Sequence, residues 1–204
     1  MVGDDVEKGI GHVRDILANA PLECAAVLTI RATPRQARAV DATAELLTKQ
    51  RVDSAFTGAV ARAAWLGGLL DSGSVDVLAM MQPQQKNNIA MMATHRGFRV
   101  EQEEIDQSEE LDLVPLNFVD DEGDVRVHVL LASNALYAKM ITAGVPAKLG
   151  ERELKVPRAE DFALLSAMSE DDEAVRALTG SAAFDRNLYN DKLVSIGLGA
   201  MVLR

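Results

Sequence analysis

Cysteine is nearly absent: Cys24 stands alone in 204 residues, so the chain can neither close a disulfide within itself nor build a cysteine-based zinc site. The neighbours Ala25, Ala26 and Val27 suggest a buried thiol. Aromatic residues make up only 4% of the chain, which leaves few platforms on which single-stranded bases could stack. Basic residues are also in deficit, 21 against 31 acids, and the resulting net charge of −10 repels a phosphate backbone. Nucleic acid is therefore a disfavoured partner. No run approaches the roughly 18 consecutive apolar residues that span a bilayer, so no membrane is expected. The acidic start, Met1 to Lys8, lacks the basic n-region and apolar centre of a secretory signal, and the expectation is a cytoplasmic protein.

What is present is a well-supplied core, with 48% hydrophobic residues in a chain that is above the usual single-domain size but within what one mixed core can bury. Thr33 as cap, Pro34 in the first turn, and Ala37, Val40, Ala44 and Leu47 at helical spacing predict a helix over 33–50. The preceding residues 1–32 remain unassigned: 6–20 has helical spacing interrupted by glycines, and 23–30 reads as strand or helix. Arg51 to Thr57 is β-compatible, Gly58 breaks it, and Ala59 to Leu66 reads as a helix with Trp65 on its apolar side. Val75 to Met80 reads as a buried strand and 84–95 as a helix opened by Pro83 and stopped by Gly97.

Glu101 to Asp124 contains eleven acids and no Lys or Arg, which predicts a solvated edge hairpin. Within and beyond it, 111–119 and 124–131 read as an antiparallel strand pair joined by a turn at 120–123. Ser133 is expected to cap a helix reaching Ala143, followed by an extended piece to Val156. The remainder is helical with a break near Gly180. This order predicts an α/β or α+β body with a mixed sheet over 33–156, carrying a C-terminal helical region over 157–204. The eight methionines, among them Met80, Met81, Met91 and Met92, are expected to fill gaps in the core.

Strand parity then locates candidate chemistry. Gly58 at a strand-to-helix turn leaves the first amides of the next helix free, an anion-binding geometry that is also common fold punctuation. In the strand from Val75, Ser74 and Asp76 share one face and Val75 and Val77 the other. In the strand from Val125, Arg126, His128 and Leu130 share a face, so His128 can stand beside Asp76 across the sheet. His12 and His95 have no partner pattern and read as surface or cap residues.

The run from Arg51 to Met168 resembles the small nucleotidyltransferase-fold proteins of prokaryotes, including those of abortive-infection and toxin–antitoxin systems. The matching pieces are Thr57-Gly58, the helix 59–66, Ser74-Val75-Asp76, Gly97-Phe98, Val127-His128-Val129 and Pro157-Arg158-Ala159-Glu160-Asp161. The resemblance implies a nucleotide site at Thr57, Gly58 and Ser74 for a nucleoside triphosphate. It also implies a catalytic centre in which three carboxylates hold two Mg2+ ions. Here Ser74 and His128 stand at two of the three acid positions and only Asp76 keeps its carboxylate; Ser166 stands where the family usually has lysine.

Three readings follow. In the first, the chain is a catalytically degenerate scaffold that binds a nucleotide or a protein partner. In the second, Asp71 bends toward Asp76 and the pair, as catalytic residues, supports an active Mg2+-dependent enzyme. In the third, the acidic stretch 101–124 makes the chain a module for a basic protein partner. A single softer metal on Asp76 and His128 is a further alternative.

Overall fold

The computed structural model describes residues 27–71, 73–101 and 112–198. Cys24, His12 and residues 102–111 of the acidic run lie outside the described residues. The chain is a mixed α/β body, as the element order implied, and its described strands form two mixed sheets where one was expected. Along the chain the elements are β1 (Leu28–Ala32), α1 (Pro34–Lys49), β2 (Ser54–Thr57), α2 (Gly58–Leu66), β3 (Leu69–Leu70) and β4 (Val75–Ala79). A 3-10 turn (Pro83–Gln85) leads into α3 (Lys86–Thr94), then β5 (Phe98–Arg99), β6 (Leu113–Phe118), β7 (Val125–Leu131) and α4 (Ala135–Thr142). The hairpin β8 (Val145–Leu149) and β9 (Arg152–Val156) is followed by α5 (Ala159–Met168), α6 (Asp172–Thr179) and α7 (Arg186–Ser195). Among these described elements, none is a helix long and apolar enough to cross a membrane.

The larger sheet has the order β2-β4-β7-β6-β5, with β4 and β7 parallel and the other neighbours antiparallel. Its two faces differ because side chains alternate. Val75, Val77 and Ala79 align with Val127, Val129 and Leu131, and with Val114 and Leu116 of β6 they form a wholly buried face. Ala39, Val40, Leu46 and Leu47 of α1 and Ile89 and Ala93 of α3 complete this core layer. Each such Val, Leu or Ile contributes about 1.5–3 kcal/mol on burial. Thr33 caps α1, its Oγ1 accepting from Gln36 N at 3.4 Å, with Pro34 in the first turn as the sequence indicates.

The smaller sheet, β3-β1-β8-β9, gives Leu28–Ala32 a definite role: β1 runs parallel to both β3 and β8, aligning Leu28–Ile30 with Ala147–Leu149. The extended piece after Gly144 is a hairpin rather than one strand, turning at Gly150 with φ +58.

Several local expectations need correction. The strand β6 is not an edge but lies between β7 and β5, with Val114 and Leu116 buried. The acids of the β6–β7 turn are also not merely solvated. Arg38 of α1 clasps Asp120 through Nε and Nη2 at 2.7 and 2.9 Å, and these bonds above all hold the Asp120 carboxyl below the usual carboxylate range. The cap of α4 is Asn134, whose Oδ1 accepts from Tyr137 N at 2.9 Å, and not Ser133 one residue earlier. Of the methionines, Met81 and Met140 are buried, whereas Met80, Met91 and Met168 are exposed rather than filling core gaps. The helical tail breaks twice, at 169–171 and at 180–185.

Candidate functional site

The other face of the larger sheet carries the chemistry-bearing residues. Cross-strand register places Thr57 beside Asp76, Asp76 beside His128, and His128 beside Pro115; one step along lie Leu78, Leu130 and Leu113. The parity argument therefore brings Asp76 and His128 together, and their side chains meet with His128 Nδ1 2.7 Å from Asp76 Oδ1. An ionised carboxylate only accepts, so Nδ1 carries the proton in this contact and Nε2 is left as an acceptor in the neutral ring. Ser74, just before β4, donates its hydroxyl to the same carboxylate at 2.9 Å to Oδ1 and 3.1 Å to Oδ2.

Gly58 is required by this arrangement. It has φ +54, and a Cβ there would lie 2.3 Å from Asp76 Oδ2 and 3.2 Å from its Cγ. Backbone conformation and close approach thus both demand glycine. The Asp76 carboxylate consequently packs against the first residue of α2, the end of a helix at which negative charge is favoured.

Beside this network lies a cavity of about 740 Å³. Its floor is the sheet, through Thr57, Asp76, Leu78, Leu113 and Leu130. Helix α2 contributes Gly58, Ala59 and Arg62, α4 contributes Tyr137, and α5 closes it with Phe162, Leu165 and Ser166. Arg62 does not reach into it as an unengaged cation: Nη1 is 2.6 Å from Asp171 Oδ2 and Nη2 is 3.3 Å from Glu173 Oε1. Asp171 in turn caps α6, accepting from Ala174 N at 3.1 Å.

Of the residues singled out in the sequence, Thr57, Gly58 and Asp76 line the cavity, while Ser74 and His128 flank Asp76. Asp71 follows the short strand β3, is exposed, and does not line the cavity. Arg62, Tyr137, Phe162, Asp112 and Asp171 do not stand out in the sequence. Arg62 had a usable signal, since it lies one helical turn after Gly58 and therefore on the same face. The others reach the cavity through tertiary packing that no local pattern encodes.

The acidic pair opening α5 is structural. Glu160 is buried and accepts from Asp185 N at 2.7 Å, and Asp161, fully buried, receives Lys192 Nζ at 2.6 Å. These two contacts fasten α5, which closes the cavity, to α7 and the residue that caps it.

The donor set at Asp76 does not fit a pair of magnesium ions. Hard divalent cations take oxygen ligands and need charge to hold them, whereas here one carboxylate is accompanied by a hydroxyl and an imidazole that suits softer metals. Its Oδ1 already receives two protein groups. Among the described residues, no group of three or more His, Cys, Asp or Glu side chains is arranged to hold a metal. No protein-family model and no curated protein matches the chain.

Proposed function

We propose that the chain is a nucleotidyltransferase-like scaffold that has lost two-metal nucleotidyl transfer and retains a ligand-binding cavity over its sheet. Support for the architecture is the succession of β2, the Gly58 turn, α2, the Asp76 strand β4, and the parallel strand β7 bearing His128. The observation that carries the reading is the engagement of the lone Asp76 carboxylate by Ser74 and His128, the two residues that stand at the other acid positions. A two-metal clamp works by neutralising charge on the transferring phosphoryl group and on the attacking oxygen. With one carboxylate already hydrogen-bonded, the chain offers little to hold such a clamp. With a single cysteine in the sequence, nothing in the fold depends on an oxidising compartment, and the cytoplasm is the proposed location.

The full chain incubated with Mg2+, labelled nucleoside triphosphates and candidate hydroxyl acceptors is expected to yield no labelled product. Transfer that disappears in Asp76→Ala would overturn the reading. The alternative of an acidic module for a basic protein rests on 101–124, most of whose first half lies outside the described residues. Within the described part, Asp120 is already committed to Arg38 and Asp124 to Arg99.

A further inference from the structure

The composition of the cavity argues for a ligand quite unlike a nucleoside triphosphate. Three carboxylates line it, those of Asp76, Asp112 and Asp171, against the single guanidinium of Arg62. That guanidinium is already bonded to Asp171 and Glu173. An entering triphosphate would meet the excess negative charge with no uncommitted cation among the described lining residues, inside a molecule of net charge −10. Arg126 lies on the same sheet face, but beyond His128 and outside the lining. The rest of the wall is mainly apolar and aromatic, through Leu78, Leu113, Leu130 and Leu165 with Tyr137 and Phe162, and is completed by the neutral hydroxyls of Thr57, Ser133, Ser166 and Ser169. Carboxylates set among aromatic and aliphatic side chains are suited to a cation attached to an apolar body, because the ring faces and the carboxylates attract the same charge.

We infer that the cavity binds a small organic cation, a protonated amine or guanidinium carried on an apolar or aromatic body. The apolar part would lie over Leu78, Leu113 and Leu130, and the charge would be shared between Asp76 at one side and Asp112 at the other. This rests on the scaffold reading above, since a metal pair at Asp76 would reverse the local charge.

A matched series tests it: tryptamine, tryptophol and indole-3-propionate share one aromatic body and differ in charge, with Mg-ATP as the nucleotide arm. Each is titrated into the full chain at about pH 8, above the ordinary imidazole range, with affinity read by calorimetry and the site read by amide NMR shifts. Tryptamine should bind about tenfold more tightly than tryptophol, and indole-3-propionate most weakly, as expected for charges a few ångströms apart in a partly solvated cleft. Shifts should centre on Gly58, Leu130 and Leu165.

Asp112→Asn and Asp76→Asn should each weaken tryptamine about threefold or more while leaving tryptophol unchanged, a pattern that damage to the fold would not produce. The inference is overturned if tryptophol or the propionate binds as well as tryptamine, if none binds at millimolar concentration, or if the shifts lie elsewhere. Tighter binding of Mg-ATP without transfer would overturn this inference alone, while nucleotidyl transfer would overturn the scaffold reading.

Discussion

At the scale of single residues, the site is organised around a contact that only one amino acid permits. Gly58 combines a left-handed backbone with a Cβ position 2.3 Å from Asp76 Oδ2. Gly58→Ala should therefore destabilise the protein by about 1–3 kcal/mol and shift the His128 imidazole resonances, because Asp76 has to move away from Gly58. In an Asp76→Ala background the same substitution should cost less, since the clash with the carboxylate is gone and only the backbone strain and a 3.3 Å approach to the Cβ at position 76 remain. Thermal unfolding of the two single variants and the double variant checks this; equal costs in both backgrounds would contradict it. The pairing of Asp76 with His128 was legible in the sequence itself, because two alternating strands leave only two choices of face. The shift of the α4 cap from Ser133 to Asn134 was not, since both residue types cap and only the backbone turn chooses between them. The exposed Met80, Met91 and Met168 show the same gap: residue type gives the tendency to be buried, while place in the fold decides it.

At the scale of elements, the cavity depends on how α5 is held. Asp161 is wholly buried at its first turn, Lys192 Nζ of α7 donates to its Oδ1 at 2.6 Å, and its Oδ2 has no hydrogen bond among the described residues. Removing the lysine leaves a buried charge uncompensated. Lys192→Met should thus cost about 3 kcal/mol or more, whereas Asp161→Leu with Lys192→Met should cost less than the single change. Denaturant unfolding provides the comparison, and additive costs would contradict the clasp. In the sequence, Glu160-Asp161 stands out through a resemblance, yet both carboxylates serve packing: one receives the amide of Asp185 and the other Lys192. Of the larger sheet, β2, β4, β6 and β7 were legible because apolar runs and alternation are local properties, whereas the two-residue β5 was not. Those of the smaller sheet were not, because β1 meets β8 across more than a hundred residues and a parallel pairing leaves no hairpin signal.

At the scale of the whole molecule, the described fold places a polar sheet face beneath α2, α4 and α5, and the chemistry there is set by charge. The mixed α/β class followed from the order of elements, but the cavity did not, because its walls come from seven separate elements and the loops between them. The central claim is that Asp76, already hydrogen-bonded to Ser74 and His128, has no second carboxylate clustered with it among the described residues to retain paired divalent cations, although Asp112 and Asp171 line the same cavity further off. Mn2+, a paramagnetic stand-in for Mg2+ that favours the same oxygen ligands, tests it most directly by electron paramagnetic resonance titration of the full chain. The account predicts no tight Mn2+ binding by the native chain and its appearance when Ser74→Asp and His128→Asp are combined. Two Mn2+ ions held tightly by the native chain and released by Asp76→Ala would contradict it.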